Sequence, residues 1–435
     1  MIDLARLRQN PNDFATAWAN RHATVDVPAL LALDEKVRAL KHKAETLKAE
    51  ANNASKVIPQ LARKGPEAAG ELAAAKDHAR ALGDQAKTTD EERAAAELQL
   101  TALLDTLPNP CLPSVPVGAD AKDNQVAATW GEAPKFAFTP KAHWDLGPAL
   151  GIMDFERAAK LSGAGFVVLA GAGAKLSRAL IAWFLDTHTG KNGYTELAVP
   201  LLVQPAMMRG TGQLPKFAEQ SYQCRDDDLW LIPTAEVPVT NLHANEILEA
   251  DTLPRTYTAH TPCFRREAGA AGIGTRGMTR VHQFDKVEVV WLTTVERADA
   301  DLLTLRGHAE HLLQELGLHY RVLELCTGDT GFSSAHTYDL EVWSPGTNSW
   351  LEVSSCSTFG DFQARRANLR YREKGGKPQF LATLNGSALA LPRCLIAVLE
   401  TYQQADGSVV IPKVLQPYVG TDRIAPAAAA AKSGA

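Results

Sequence analysis

The sequence lacks several patterns that identify whole classes of protein. Its six cysteines include no C-x-x-C pair, and none has a histidine at the spacing usual for zinc ligands. It has no apolar run of about 18 residues, and charged residues interrupt its N-terminal stretch. These absences argue against a structural zinc, a membrane span and a signal peptide. We therefore expect free thiols in a cytoplasmic protein.

A strongly basic composition is also missing, since the 435 residues carry a formal net charge of −5. This balance argues against a protein coated in nucleic acid, and we expect no DNA partner. RNA stays open as a partner because phosphate contacts require a local basic patch and not a basic total. The length and the hydrophobic fraction of 45% allow two or three domains with a sizeable core.

Neither of the common glycine-rich phosphate-binding loops is present. The sequence contains no G-x-x-x-x-G-K-[ST]. A G-x-G-x-x-G does occur at 272–277, but a predicted strand follows it, and it does not open a helix as the dinucleotide-binding loop does. Side-chain cations must therefore hold any triphosphate that this chain binds.

What the sequence does contain is a long periodic pattern of apolar residues near its start. They recur in alternating steps of three and four, which is typical of a coiled-coil seam. The first run is Leu30, Leu33, Val37, Leu40, Ala44, Leu47, Ala51, Ala54, Ile58 and Leu61, and the second is Leu72, Ala75, Ala79, Leu82, Ala86, Thr89, Arg93, Ala96, Leu100, Leu103 and Leu107. Gly65 and Pro66 separate the two runs. We predict an antiparallel helical hairpin over about 30–107, within an N-terminal domain of residues 1–107.

The first helix of this hairpin carries a local excess of basic residues. They are Lys36, Arg38, Lys41, Lys43, Lys48, Lys56, Arg63 and Lys64. Between positions 36 and 64, only Glu45 and Glu50 oppose them. Charges on a coiled coil are most often a solvated face. The alternative is an arm that lies along the phosphate backbone of an RNA.

The rest of the chain has a different organisation. Residues 108–145 are rich in proline and glycine and predict a linker with loops, and residues 421–435 predict a disordered tail. Between them, the predicted helices are Ala174–Thr187, Ala298–Leu316 and Ser387–Gln403, and the predicted strands are Leu229–Ile232, Pro262–Glu267, Met278–Leu292, Tyr338–Val342 and Ser349–Ser354. Several strands follow one another without a helix, so we predict an α+β fold with an antiparallel sheet.

The segment 261–288 offers the cations that a triphosphate requires. On a strand, Arg265 and Glu267 point the same way because the side-chain period is two. The next strand places on one face His282, Phe284, Lys286 and Glu288. A guanidinium, a ring and carboxylates on one sheet face suit the phosphates and base of a nucleotide. Taken alone, an Arg-x-Glu pair is more often a cross-strand ion pair.

These residues resemble the sequence motifs of the class II aminoacyl-tRNA synthetases. Motif 2 is matched by Phe264, Arg265, Glu267, Arg280 and Phe284. The stretch 193–202 resembles motif 1, which forms dimers, and the stretch 386–393 resembles motif 3. Further segments are similar to bacterial-type seryl-tRNA synthetases, namely 210–217, 233–241, 281–288, 354–366 and 384–390. The resemblance extends from Met1 to about Val419 and implies a class II catalytic domain over 146–420, preceded by the helical arm.

The resemblance implies a role for each matching position. Arg265 would grip the α-phosphate and Arg393 the γ-phosphate, and these two are the expected catalytic residues. The expected ATP site consists of Arg265, Arg266, Glu267, Val281, Phe284, Glu352, Val353, Ser354, Ser355 and Arg393. Within that site, the Phe284 ring would stack on adenine. The expected serine site consists of Thr234, Ala235, Glu236, Arg265, Glu288 and Ser387. Glu352 and Ser355 would bind Mg²⁺, and no zinc is expected.

Spacing adds geometric expectations to these roles. Thr234 and Glu236 are two apart and can share one strand face, where they would meet an ammonium and a hydroxyl group. Glu352 and Ser355 are three apart, which on a regular strand aims them at opposite faces. We therefore expect the strand to bulge or end near Ser354 and Ser355.

The implied activity is that of a serine–tRNA ligase. Such an enzyme activates L-serine with ATP, releases pyrophosphate and transfers the serine to the 3′ end of tRNA(Ser). A second candidate substrate is tRNA(Sec), and motif 1 implies a homodimer. One alternative is an adenylating ligase that loads an amino acid onto a carrier protein, which would not need the long arm. The other is a non-catalytic, synthetase-derived RNA-binding protein, which would not need Arg265, Arg393 or Glu352.

The sequence departs from the family pattern at a few positions. Ile273 and Gly274 stand where a charged pair is usual, and Arg266 stands where serine is common. In motif 3, Ala388 replaces a usual glycine and Pro392 precedes the arginine. The main phosphate, metal and serine positions are intact, so we expect the activity to be retained.

Overall fold

The computed structural model describes residues 1–268 and 276–426, which divide into two compact units. Residues 2–19 and 23–107 form the first, here called the arm unit. Residue 1, residues 20–22 and the chain from 108 onward form the second, the catalytic unit. No helix within the described ranges is both long and apolar enough to cross a membrane.

The arm unit is built from helices. They are α1 (Leu4–Gln9), α2 (Pro11–Asn20), α3 (Val27–Arg63) and α4 (Ala69–Thr106). Helix α3 begins before the predicted start because Asp26 caps it, accepting a hydrogen bond of 2.9 Å from the amide of Ala29. The hairpin turns where Gly65 adopts a φ of 80° and Pro66 follows it. The predicted hairpin of two long helices is confirmed.

The predicted seam between α3 and α4 is buried or half-buried along both helices, with one exception. Leu103 is 37% exposed, and Leu104 is buried in its place. The buried positions at the end of α4 are therefore Leu100, Leu104 and Leu107, which are four and then three residues apart. The predicted spacing was three and then four. A buried carboxylate, Asp34, lies at the base of α3 and pairs with Arg8 and Arg38 at 2.9 and 3.0 Å. The basic residues predicted on α3 are exposed.

The catalytic unit contains the remaining helices and strands. Its helices are α5 (His143–Ala149), α6 (Phe155–Ser162), α7 (Ala172–Gly190), α8 (Pro205–Gly210), α9 (Glu236–Thr240), α10 (Ala298–Glu315), α11 (Phe362–Ala367), α12 (Leu391–Tyr402) and α13 (Gln416–Val419). Its strands are β1 (Gln125–Trp130), β2 (Met153–Asp154), β3 (Val168–Leu169), β4 (Thr195–Glu196), β5 (Leu202–Val203), β6 (Trp230–Leu231), β7 (Ile247–Glu249), β8 (Arg255–Phe264), β9 (Gln283–Thr293), β10 (Tyr320–Glu324), β11 (His336–Ser344), β12 (Ser349–Thr358), β13 (Arg370–Arg372), β14 (Gln379–Phe380), β15 (Ala382–Ala390), β16 (Val409–Val410) and β17 (Arg423–Ile424).

The main sheet of the described chain has the order β1-β10-β11-β12-β15-β9-β8-β4. Every neighbouring pair is antiparallel except β4 and β8, which are parallel. This confirms the predicted α+β fold with an antiparallel sheet. Helices α7, α10 and α12 contribute buried side chains to the same core as the central strands. Gly386 on β15 allows α10 to approach closely, since a Cβ atom there would lie 2.4 Å from Cδ2 of Leu305.

Several predicted boundaries differ from the structure. The predicted strands Pro262–Glu267 and Met278–Leu292 are β8 (Arg255–Phe264) and β9 (Gln283–Thr293). The predicted linker 108–145 contains β1, which pairs with β10 at the edge of the main sheet. All six residues of β1 are exposed, so no apolar alternation marks this strand in the sequence. The predicted tail 421–435 begins with β17, which pairs with β16, and residues 427–435 lie outside the described part of the chain. The predicted helix Ser387–Gln403 is strand β15 as far as Ala390 and helix α12 from Leu391.

Candidate active site

The catalytic unit contains a cavity of about 540 Å³ above the β8–β9 hairpin and the strands β12 and β15. The predicted residues that line it are Thr234, Glu236, Arg265, Glu267, Val281, Phe284, Glu288, Glu352, Val353, Ser355, Ser387 and Arg393. Three predicted residues do not line it. Ala235 is fully buried, Arg266 is exposed, and the buried hydroxyl of Ser354 donates to the carbonyl of Ser387 at 2.6 Å.

The strand argument for Arg265 and Glu267 is wrong. Strand β8 ends at Phe264, so both residues follow the strand, and Glu267 adopts a φ of 46° in the left-handed region. They reach the cavity because the chain turns there, and not because of side-chain alternation. On β9 the alternation holds for Phe284, Lys286 and Glu288, which all line the cavity. The prediction was wrong for His282, which precedes β9 and does not line the cavity.

Thr234 and Glu236 do not share a strand face either. Strand β6 ends at Leu231, and Glu236 is the first residue of α9. The turn between them nevertheless brings the two side chains to the cavity. The hydroxyl of Thr234 accepts the amide of Glu236 at 3.2 Å and donates to Oε2 of Glu288 at 3.3 Å.

Glu288 is the centre of a buried polar network at one end of the cavity, here called the carboxylate end. It is 1% exposed and forms an ion pair with Lys286, which is also buried. Asn385 on β15 donates to its Oε1 at 3.1 Å. The roles predicted from the sequence include neither Lys286 nor Asn385. The sequence nevertheless contained an indication of each. Lys286 shares a predicted strand face with Phe284 and Glu288, and Asn385 lies in the segment 384–390, which is similar to the family.

Glu236 is a second buried carboxyl group at this end. Burial, and then the nearby charge of Glu288, raise the pKa of Glu236 to about 7. Gln363 opposes this shift by donating a hydrogen bond of 2.7 Å to Oε1 of Glu236. The carboxylate end therefore combines two acidic side chains, one of which titrates near neutral pH.

A second part of the cavity, here called the cation end, is more exposed and carries arginines. The guanidinium of Arg265 lies over the ring of Phe284 at 5.1 Å from its centroid, and its Nε donates to the carbonyl of Pro233 at 3.3 Å. Arg280 pairs with Glu267 at 3.2 Å. A planar ring beside a guanidinium suits a nucleotide base next to its phosphates.

Arg393 reaches the cation end from the first turn of α12. Its Nη1 donates to the carbonyl of Glu352 at 2.7 Å and lies 3.4 Å from the Glu352 carboxylate, while its Nε donates to the carbonyl of Thr279. Pro392, a departure from the family pattern, occupies the first turn of α12, where a missing amide costs no helical hydrogen bond.

The expected bulge is present between Glu352 and Ser355. Ser354 is paired with Leu340 of β11 and Glu352 with Glu341, so Val353 is the extra residue. Both predicted metal ligands consequently line the same cavity. The expected bulge is confirmed, and it lies at Val353, one residue before Ser354.

The residues at this bulge fit a magnesium ion shared with phosphates. Within 1–268 and 276–426, no group of three or more His, Cys, Asp or Glu residues could hold a metal ion by itself. Mg²⁺ is usually bound by one or two carboxylates together with substrate phosphates, and Glu352 and Ser355 offer oxygen donors of that kind. Asp339 pairs with Ser355 across the strands, and its buried Oδ1 has no hydrogen-bond partner among the described residues. Burial and the charge of Glu352 raise the pKa of Asp339 well above its usual range.

Further observations concern single positions. Cys356 is fully buried, and burial raises the pKa of its thiol to about 12, as expected of a packed thiol. Ile273 and Gly274 lie outside the described residues.

His143, which the sequence did not single out, accepts a hydrogen bond from the amide of Met278 at 3.0 Å and forms another with Glu400 at 2.9 Å. It thereby fixes a residue that lines the cavity.

Comparisons with known sequences show the family to which this chain belongs. The model of the tRNA synthetase class II core domain (G, H, P, S and T) matches residues 220–402, and that of the seryl-tRNA synthetase N-terminal domain matches residues 1–111. A serine–tRNA ligase of Nitratidesulfovibrio vulgaris is 51% identical over 421 residues, or 97% of this chain and 98% of that protein. One of Fervidobacterium nodosum is 49% identical over 427 residues, or 98% of this chain and 100% of that protein.

Solved structures are similar to this chain as well. The crystal structure of seryl-tRNA synthetase from Pyrococcus horikoshii complexed with ATP has a TM-score of 0.90 at 36% identity, and the match covers 98% of this chain and 100% of that one. The M. kandleri enzyme, in complex with tRNASec of A. aeolicus, has a TM-score of 0.58 at 17% identity, over 81% and 71% of the two chains. That second similarity concerns the fold alone.

Proposed function

This chain belongs to the seryl-tRNA synthetase family of class II aminoacyl-tRNA synthetases, and we propose how its cavity carries out the family's reaction. It is a ligase that joins serine to tRNA with the use of ATP. The proposal rests on the observation that the carboxylate end and the cation end belong to one cavity. A buried network around Glu288 lies beside Arg265, so a small amino acid can meet a phosphate there.

We assign the carboxylate end to L-serine. Glu236 would accept hydrogen bonds from the ammonium group, while Glu288 and Thr234 would meet the side-chain hydroxyl. Ser387 lines the same region and completes the pocket. Because these polar groups are buried, alanine would leave them without a partner and is rejected strongly. Threonine must instead be excluded by crowding at its extra methyl group, which is a weaker filter.

We assign the cation end to ATP. The ring of Phe284 would stack on adenine, which requires Arg265 to move from the ring to the α-phosphate. Glu267 would contact the base, and Arg393 would hold the γ-phosphate. Ala235, Arg266 and Ser354 have no side chain in the cavity, so any contribution from them would come through the backbone.

In the first step, the serine carboxylate attacks the α-phosphorus in line and pyrophosphate leaves. Arg265 stabilises the charge that develops on the phosphoryl oxygens, and Arg393 orients the departing pyrophosphate. Glu352 and Ser355 would hold Mg²⁺, which supplies charge neutralisation at the phosphates when it is bound. In the second step, a ribose hydroxyl at the tRNA 3′ end attacks the seryl carbonyl, and AMP leaves.

The arm unit supports tRNA as the partner. Its exposed basic residues on α3 offer a surface for a phosphate backbone. Lys36, Lys41 and Lys43 make no ion pair among the described residues, which leaves them available to an RNA. We propose tRNA(Ser) as the substrate, tRNA(Sec) as a second one, a homodimer formed through the motif 1 segment, and the cytoplasm as the compartment.

Two assays on one variant test this assignment. Serine-dependent ATP–pyrophosphate exchange reports the first step, and charging of purified tRNA(Ser) and tRNA(Sec) reports the second. Removing residues 30–107 should spare the exchange and abolish charging. Charging that survives the deletion would refute the role of the arm.

The same two assays on the intact chain separate the alternative functions. Exchange without charging of any tRNA would favour a carrier-protein ligase, and the absence of exchange would favour a non-catalytic RNA-binding protein. A mass measurement in solution tests the dimer.

A further inference from the structure

Gln363 lies behind the carboxylate end of the cavity and does not line it. It is on α11, its side chain is fully buried, and its amide makes three hydrogen bonds. Nε2 donates to Oε1 of Glu236 at 2.7 Å and to the carbonyl of Thr211 at 3.3 Å. Oε1 accepts the hydroxyl of Thr383 at 2.7 Å. One amide thus joins α8, α9 and β15 at the back of the pocket.

The orientation of this amide follows from its partners. A backbone carbonyl can only accept, so the atom that faces Thr211 must be the NH₂ group. The same NH₂ group then faces Glu236, and both of its hydrogens are used. The hydroxyl of Thr383 can donate to the remaining oxygen, so the reversed amide would lose two of the three hydrogen bonds. Gln363 is therefore held as a fixed donor toward Glu236.

This donor occupies one oxygen of the Glu236 carboxylate. In the described part of the chain, the other oxygen, Oε2, receives no hydrogen bond, although Glu236 is only 7% exposed and lines the cavity. A buried carboxylate with one oxygen fixed and the other free is arranged to accept from a ligand. Gln363 also opposes the rise in the pKa of Glu236 that burial and Glu288 cause.

We infer that Gln363 is a positioning residue for serine, which holds the Glu236 carboxylate with its second oxygen directed at the ammonium group of the substrate. The inference rests on the proposed assignment of Glu236 to the ammonium group. Gln363 would not touch serine or ATP, and it would act on serine binding alone. A merely structural role, in which Gln363 ties the three elements together, would disturb both substrates.

The test is Gln363→Met, which keeps the length of the side chain and removes both donors. Exchange assays with each substrate varied should show a KM for serine raised on the order of 10- to 100-fold near pH 7, the range for a charged hydrogen bond. The KM for ATP should stay within a few-fold. The serine defect should shrink as the pH rises toward 8.5, because a Glu236 without its donor ionises at higher pH. Thr383→Val, which keeps both Nε2 donors, is the matched control and should have a smaller effect.

A double-mutant cycle separates this inference from the proposed function. Glu236→Gln alone should raise the KM for serine, and Gln363→Met should add little in that background. A similar rise in the KM for both substrates, or an effect of Gln363→Met that persists unchanged in Glu236→Gln, would show a structural role and overturn the inference alone. An unchanged serine KM in Glu236→Gln would overturn both the inference and the assignment of Glu236. If Gln363→Met does not fold, Gln363→Asn, which is too short to reach Glu236, should give the same selective defect.

Discussion

The two ends of the cavity are built in opposite ways. At the carboxylate end, Thr234, Glu236, Lys286 and Glu288 are each less than 10% exposed and are bonded to one another or to buried neighbours. At the cation end, the side chain of Glu352 is 47% exposed and that of Arg280 is 48% exposed. Both ends are rich in charge, yet only at the first are the charged side chains described above almost fully buried.

The difference matches what each substrate brings. Serine is small and carries few groups, so its pocket must be assembled in advance and its discrimination depends on buried partners. ATP brings several negative charges, so the arginines can be held by carbonyls and a ring until it arrives. We propose that the carboxylate end is important for both stability and specificity, whereas the cation end is important for catalysis and contributes little to stability.

The largest effect should come from the cation end. Arg265→Ala removes the guanidinium that faces the developing charge, and loss of one such donor costs about 10²- to 10³-fold in rate. We expect serine-dependent pyrophosphate exchange to fall by that factor while the melting temperature stays close to that of the parent protein. The measurement is the exchange rate at saturating substrates.

The neighbouring Arg266→Ala is the matched control for this change. It removes the same chemical group one position along the chain, where the side chain is exposed and lies outside the cavity. Exchange should stay within a few-fold of normal. Near-normal exchange in Arg265→Ala, or an equal loss in both variants, would contradict the assignment of the cation end.

The second prediction compares stability at the two ends. Glu288→Gln leaves the buried ammonium group of Lys286 without its counter-charge, and breaking a buried ion pair costs about 3–5 kcal/mol. Glu352→Gln changes a half-exposed group, for which about 0.5 kcal/mol or less is expected. The free energy of unfolding in urea measures both. Equal losses at the two positions would remove the distinction that we draw between the ends.

Much of the fold could be predicted because it depends on local patterns. The seam of α3 and α4 follows a simple period, and α7 and α10 are long helices with one apolar, buried face. Strand β1 has no such signal, since all of its residues are exposed and pairing with β10 alone defines it. The end of β8 at Phe264 is equally hidden, because apolar alternation does not tell where a strand gives way to a turn.

The sequence predicted most of the residues that line the site, but not the hydrogen bonds that join them. Most of the expected residues line one cavity, although the strand-face reasons given for Arg265, Glu267 and Glu236 were wrong. Single-sequence reasoning cannot see that Asn385 and Gln363 bond to carboxylates on other elements, because those pairs form only when the sheet assembles. The bulge at Val353 could be predicted, because Glu352 and Ser355 are three residues apart and were both expected to bind one metal ion.

The smallest predicted effect is a difference in pH dependence between the two substrates. In the protein without serine, the pKa of Glu236 is raised to about 7, first by burial and then by Glu288. Its carboxylate accepts from ammonium only when it is ionised, and the ionised fraction falls about tenfold between pH 8 and pH 6. The KM for serine should rise by about that factor over the same interval, while the KM for ATP changes little. Kinetic exchange assays across this range measure both.

The raised pKa of Glu236 should also make stability depend on pH, in the direction opposite to that of serine binding. A carboxyl group whose folded pKa exceeds its unfolded pKa of 4.5 binds more protons when folded, so without serine the free energy of unfolding should fall as the pH rises toward 7. Serine should therefore bind best where the empty pocket is least stable. Glu236→Gln removes the titrating group and should flatten both profiles. A serine KM that keeps its pH dependence in that variant would assign the titration to another group and weaken the contrast between the two ends.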